Sequence, residues 1–260
     1  MAKPIRQAQD PKAAPVYVGC AGWGLSSRVA AHFPGQGSHL ERYARVFSAV
    51  EINSSFYRPH QPKTYARWAA SVPEAFRFSV KAPRAVTHEL RLRAADAAMG
   101  AFLDQAAALG GKLGCLLLQL PPSLALNAAE VAGFFSMLRA RTGVHVVCEP
   151  RHASWFTPAG AALMKDFGIA WVHAHPLPVP GVEPAGDSPA LYIRLHGAPH
   201  VYHSDYSDEF IDAVAGRIAA AHAAGRHAWC IFDNTALGHA VPNALALTMR
   251  LAAMGLCPPS

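Results

Sequence analysis

Val50-Glu51-Ile52-Asn53-Ser54-Ser55-Phe56-Tyr57 decides how the rest of the chain is read. Val50 and Ile52 alternate with Glu51 and Asn53, the period-two pattern of a strand with one apolar and one polar face. With Val50 and Ile52 packed outward on helices, Glu51 and Asn53 point toward the middle of whatever the sheet encloses. The same parity recurs downstream, and eight strand-like runs emerge at 16–20, 49–56, 76–81, 115–120, 144–149, 169–174, 191–196 and 228–233.

Helical patterns separate most of these runs. Ser38 with Glu41 and Asn127 with Glu130 read as capping boxes. Pro62 and Pro158 suit first helical positions, and Gly110, Gly168 and Gly225 suit the left-handed residue past a helix end. Val131, Phe134, Phe135 and Leu138 share one helix face, and Ile211, Val214 and Ile218 share another, so both sets are core. The alternation predicts an α/β fold, a single-domain TIM-type (β/α)8 barrel over residues 15–257 preceded by a loose tail at 1–14. An open doubly wound sheet is the alternative, but no Gly-x-Gly-x-x-Gly follows the first strand. Residues 176–189 are too rich in proline for a helix and predict an irregular, extended crossover between strands 6 and 7, packed as a loop.

The 260 residues, 52% hydrophobic and 15% charged, fit one globular domain. No apolar run approaches the ~20 residues that cross a membrane, and the first ten residues lack a secretory pattern. The expectation is a cytoplasmic protein without a membrane partner. Cys20, Cys115, Cys148, Cys230 and Cys257 show no Cys-x-x-Cys spacing and read as reduced thiols. A net charge of +6 favours anionic partners, phosphorylated metabolites or nucleic acid, by steering and not by specificity.

Applied strand by strand, the inward parity collects Glu51, Asn53, Lys81, Gln119, Glu149, Arg151, His173, His175, Arg194, His196 and Asp233, all at strand carboxyl ends. Barrel enzymes put their reacting groups at that rim. A barrel built only for stability would fill these layers with Val, Ile and Leu; otherwise Glu51 with Lys81, and Glu149 with Arg151 or Arg194, would merely neutralise one another. Lys81, Arg151 and Arg194 supply cations for a carboxylate or phosphate, Glu51 and Glu149 serve as base and acid, and His196 carries a proton near neutral pH. Asn53, His88, Gln119, Asp233 and Asn234 complete the ligand-binding set. The expected activity is that of an enzyme, a hydrolase, isomerase or lyase, acting by acid–base chemistry on a small anionic compound, sugar-like or phosphorylated. A nucleic-acid-binding or metal-dependent nucleic-acid-processing barrel, suggested by the charge and residues 84–93, and a non-catalytic scaffold are the alternatives.

No cofactor is expected. The His173-x-His175 pair offers ligand types for a divalent metal, which nearby Arg194 and Lys81 would repel. The residues after the third strand, with Arg84, His88, Glu89 and Arg91, suit a lid, and Trp155 and Phe156 either stack a ring or staple the next helix.

The stretch at 50–57, Phe78-Ser79-Val80-Lys81-Ala82-Pro83 with Thr87-His88, Gln119-Leu120-Pro121-Pro122, Glu149-Pro150-Arg151-His152 with Ser154-Trp155, Arg194-Leu195-His196-Gly197 and Phe232-Asp233-Asn234-Thr235 with Gly238-His239-Ala240 together resemble the YecE-like family, domain of unknown function 72. The resemblance runs from residue 16 to about residue 250 and implies a (β/α)8 barrel, with no activity or catalytic residue to carry over. It departs after Gly22-Trp23, where the family usually has Ser-Tyr and this chain has Gly24-Leu25, and at the sixth strand, where Asp is more usual than His173-Ala174-His175. Family barrels have been likened in shape to metal-dependent endonucleases acting at abasic sites, an analogy of fold that assigns no function.

Overall fold

The alternation at residues 50–53 is realised as a barrel strand in a computed structural model that describes residues 14–185 and 188–256. Eight parallel strands, β1 (Val16–Cys20), β2 (Ala49–Ile52), β3 (Arg77–Lys81), β4 (Leu113–Gln119), β5 (His145–Glu149), β6 (Ala170–His175), β7 (Ala190–Leu195) and β8 (His227–Phe232), form one sheet in the order β1-β8-β7-β6-β5-β4-β3-β2. The sheet curls until its ends meet: Ala21 bridges Glu51, and Gly22 N–H donates to the Glu51 carbonyl at 3.0 Å. Side chains complete this seam. The Tyr43 hydroxyl accepts from Cys20 N–H at 2.7 Å and donates to the Ala49 carbonyl at 3.0 Å. Gly19 is required there, because a Cβ would lie 1.9 Å from the Ala49 carbonyl oxygen.

Outward strand residues, among them Val50, Ile52, Leu116, Leu118, Val146 and Ile193, pack in one apolar layer with α1 (His39–Tyr43), α2 (Pro62–Ala70), α3 (Asp96–Ala106), α4 (Ala128–Arg141), α5 (Pro158–Asp166), α6 (Asp208–Ala223) and α7 (Ala240–Ala253). The two predicted helix faces are buried. Ser38 and Glu41 form a reciprocal capping box, whereas Asn127 caps Glu130 N–H alone because the Glu130 carboxylate turns to Arg93. Pro62 and Pro158 open α2 and α5, and Gly110, Gly168 and Gly225 have positive φ.

The described part of the β6–β7 link carries no helix, as its prolines require. Strand 2 ends at Ile52, earlier than expected, since Ser54–Phe56 form a turn of 3-10 helix in which Ser55 Oγ donates to the carbonyls of Ile52 at 2.9 Å and Lys81 at 2.6 Å. Most of the expected tail, residues 1–13, and Cys257 lie outside the described residues; Ala14 is buried, its carbonyl 2.7 Å from His222 Nδ1. The other four cysteines are buried and free. No described helix is long and apolar enough to cross a membrane.

Candidate active site

The inward face of the barrel changes character along its axis. Its lower and middle layers are Tyr17, Ala49, Cys115, Leu117, Val147, Val172, Tyr192, Trp229 and Ile231, a packed core. Above them, Ser79 Oγ lies 2.7 Å from the Tyr192 hydroxyl, which reaches Glu51 Oε2 at 3.3 Å.

At the carboxyl ends, four strands deliver charge to one point. Arg194 from β7 is fully buried. Its Nε and Nη2 donate to Glu51 Oε2 at 3.0 Å and Oε1 at 2.7 Å. Its Nη1 donates to Glu149 Oε2 at 2.6 Å and its Nη2 to Asp233 Oδ2 at 3.0 Å. Arg151, two residues past Glu149, donates through Nε and Nη2 to Glu149 Oε1 at 2.9 and 2.7 Å, with a quarter of its side chain left exposed. His196 stands between two carboxylates, Nδ1 at 3.0 Å from Asp233 Oδ2 and Nε2 at 3.4 Å from Glu149 Oε1. Of the pairings that a merely neutralised interior would make, Glu149 with Arg151 and with Arg194 is formed, whereas Glu51 is taken by Arg194 and not by Lys81.

Lys81, the last residue of β3, holds its amine 4.3 Å above the centroid of the Phe56 ring. The edge of the same ring meets His88, 5.0 Å away centroid to centroid. His88 belongs to a turn of π-helix at Ala85–Glu89, and Thr87 Oγ1 lies 2.9 Å from its Nδ1.

These environments set the protonation states. Burial alone would raise the Glu149 and Asp233 carboxyls, but Arg194 and His196 override it and hold both below their ordinary values, Glu149 far below. Burial opposes charge on His196, yet Glu149 and Asp233 more than compensate and hold it above its usual value. Burial, then Arg194, push the Lys81 amine down to about 8 against the pull of Glu51, Asp233 and Glu149. Burial, with Lys81, Arg84 and Arg151, pushes His88 down. Three carboxylates thus face Arg194, Arg151 and Lys81, and a protonated His196 tips the centre positive.

The remaining predicted residues are placed differently. Gln119 ends β4 beside Glu149, and its side-chain amide makes no hydrogen bond among the described residues. Asn53, just past β2, has a buried Oδ1 without a partner. Asn234 supports a neighbouring loop, its Nδ2 donating to the Ser204 carbonyl at 3.0 Å and Asn243 Oδ1 at 2.9 Å.

His173 and His175 do not join the cluster. They point away from the barrel interior and line a cavity of about 210 Å³ with Glu183, Phe210 and Arg217. Burial, followed by Arg217 and Arg226, pushes His173 down to about 4. Trp155 staples instead of stacking a ligand: it is fully buried, Nε1 donating to the Leu124 carbonyl at 2.9 Å, and Phe156 stacks on Trp171. The expected lid is tied down through buried Val86, Thr87 and Leu92, and through Arg91, whose Nη2 donates to the Ser123 carbonyl at 2.7 Å.

Sequence reasoning missed three contributors. Ser79 and Tyr192 obey the inward parity two residues before Lys81 and Arg194 and were findable by it. Tyr202, on the loop after β7, packs edge-on at 5.8 Å from His196 in a left-handed conformation (φ 69°) that no local signal announced.

Fold and site together define a (β/α)8 barrel with a charged centre at its carboxyl rim. The chain belongs to the family described as protein of unknown function DUF72, whose model matches residues 17–259. The UPF0759 protein YunF of Bacillus subtilis (strain 168) is 27% identical over 199 residues, 70% of this chain and 70% of YunF. The UPF0759 protein YecE of Escherichia coli (strain K12) is 31% identical over 118 residues, 45% of this chain, so that the match spans less than half, 43%, of YecE. A DUF72 family protein from Thermotoga maritima MSB8 has a similar structure, with 24% identity and a TM-score of 0.77 over 92% of this chain and 99% of that one. A D-psicose 3-epimerase from Clostridium cellulolyticum H10, at 9% identity and a TM-score of 0.51 over 93% of this chain and 98% of that one, shares the barrel fold.

Proposed function

We propose that this barrel is an enzyme that performs acid–base chemistry on a small anionic compound, sugar-like or phosphorylated, at its carboxyl rim. One observation carries the reading: His196 is wedged between the Asp233 and Glu149 carboxylates, the second also held by Arg151, in a site that Arg194 organises from beneath. Paired carboxylates hold His196 above its usual value, favouring its protonated form, and give it two routes for handing a proton on. Lys81 and Arg151 form the cationic side that meets the anion, and His88, Gln119 and Asn53 offer uncharged polar groups to its hydroxyl or carbonyl groups. Glu51 and Arg194, saturated by each other and by Tyr192, Glu149 and Asp233, act as positioning residues. The cations that suggested nucleic acid are engaged within the protein: Arg84 with Glu89, Arg91 with Ser123 and Arg93 with Glu130.

Thermal unfolding with inorganic phosphate, sugar phosphates, neutral sugars and a short oligonucleotide tests the reading. Sugar phosphates are expected to raise the melting temperature of the wild type, and much less that of Arg151→Met. A wild type indifferent to every small anion, or one stabilised only by the oligonucleotide in a salt-dependent way, would overturn it.

A further inference from the structure

Among the described residues that bring charge to the rim cluster, Lys81, unlike Arg151 and Arg194, has no carboxylate of its own. Arg194 and Arg151 hold the Glu149 carboxylate, and Arg194 holds Glu51 and Asp233. Among the described residues no ion pair or hydrogen bond reaches the Lys81 amine, which rests on the face of Phe56. Its place is fixed from the backbone: Ser55 Oγ ties the Lys81 carbonyl to the turn that carries Phe56, so strand end and aromatic seat move as one. Only 6% of the residue is exposed. Lys112 differs, its ammonium donating to the carbonyls of Ala69 at 2.8 Å and Val72 at 2.7 Å, and Lys63 stands in solvent.

A lone amine on an aromatic floor, within the field of Arg194 and of the Asp233 and Glu149 carboxylates that hold His196, is equipped for more than charge. We propose that Lys81 forms a Schiff base with the carbonyl group of an anionic aldehyde or ketone. The inference rests on the reading of the rim as an anion-binding acid–base site and names the substrate's reacting group.

The neutral amine attacks the carbonyl carbon. A C–N bond forms, the carbonyl π pair moves to oxygen, oxygen takes up a proton and nitrogen gives one up, leaving a carbinolamine. The hydroxyl then departs as water with a proton from His196, and the nitrogen lone pair closes the C=N bond. Amine, carbonyl and the proton from His196 become a protonated imine and water, and loss of the N–H proton back to His196 gives the neutral imine, with no oxidant or reductant. His196 reaches the same pocket through Asp233, its hydrogen-bond partner, whose charge acts on Lys81. The lowered proton affinity of the amine, about 8, leaves a useful neutral fraction near physiological pH, where an exposed lysine has almost none.

Pyridoxal 5′-phosphate, a phosphorylated aldehyde, is the probe. The wild-type chain is incubated with it at pH 7.5, reduced with borohydride, which delivers hydride to the C=N bond, and mapped by peptide mass spectrometry. One equivalent is expected on Lys81, incorporated at least tenfold faster than on Lys63, slowed by inorganic phosphate, and accelerating as pH rises through about 8. Lys81→Arg, which keeps the charge and cannot form the imine, is expected to lose this label while circular dichroism stays unchanged. Labelling spread evenly over Lys63, Lys112 and Lys165, or a folded wild type with Lys81 unmodified, would overturn the proposal. If Lys81 stays unmodified while sugar phosphates still raise the melting temperature, the Schiff base fails and the anion site stands. If neither occurs, both fail.

Discussion

At the amino-terminal end of the barrel, Tyr17 packs on Trp229 with ring centroids 4.4 Å apart, and Trp229 stacks on Tyr192 at 5.9 Å. At the carboxyl end the same tube holds three carboxylates, two arginines and a histidine in one hydrogen-bonded group, with the Lys81 amine set apart from it on Phe56. The lower end shows what the fold needs to be stable, bulky apolar surface with Gly114 making room for Trp229. The upper end departs from that solution on four strands at once, although buried charge is an expensive way to fill a core. The contrast teaches that stability and chemistry are assigned to opposite ends of one tube.

Substitutions on either side of this boundary break or sharpen the contrast. Trp229→Ala opens a large cavity in the floor and is expected to cost about 3–5 kcal/mol in urea unfolding, while ligand-induced thermal shifts at the rim persist. Arg194→Met strands Glu51 as a buried carboxylate and leaves Glu149 to Arg151 and Asp233 to His196, with an expected cost of about 3–5 kcal/mol and, unlike the floor variant, loss of anion binding. Tyr192→Phe, at the border, removes the hydroxyl shared by Ser79 and Glu51 and is expected to cost about 1–3 kcal/mol. His145→Ala, exposed at the floor beside His227, should change stability by less than about 0.5 kcal/mol and leave the rim untouched.

The rim also predicts a pH signature that the floor lacks. Glu149 and Asp233 are held below their ordinary 4.5 and 3.8, so the stability they contribute is present above those values and lost as pH falls below them. His196 is held above 6.5, and its contribution is full below that value and lost as pH rises through the raised one. Lys81 has the opposite sign. Between about 8 and 10.5 the unfolded chain holds more protons than the folded one, so stability rises with pH there.

How much of this was legible in the sequence differs from strand to strand. Parity alone placed Glu51, Lys81, Glu149, Arg194 and Asp233 together at the rim, because a strand with one apolar face leaves its polar residues only one direction. It failed at β6, where Val172 and Ala174 face inward and His173 and His175 outward. The reason is steric. Val172 and Ala174 are the register partners of Tyr192 and Arg194 on β7, whose large side chains, with Trp229 stacked on Tyr192 from β8, already fill the interior on that side. The outer side of β6, lacking the helix that proline forbids in the following link, tolerates the imidazoles. A pattern rule reads polarity, and here volume decided. Partner choice was equally invisible: nothing in the spacing told that Arg194, and not Lys81, would take Glu51.

Denaturant unfolding of Lys81→Met at pH 7 tests most directly whether the rim charges are kept for chemistry and not for stability. The Met side chain keeps the apolar stem on Phe56 and removes an ammonium that the fold holds against its preference for water. The predicted result is a folded variant as stable as the wild type, or more so. A loss of more than about 2 kcal/mol, on the scale of breaking a buried ion pair, would contradict the account and make Lys81 a strut of the barrel.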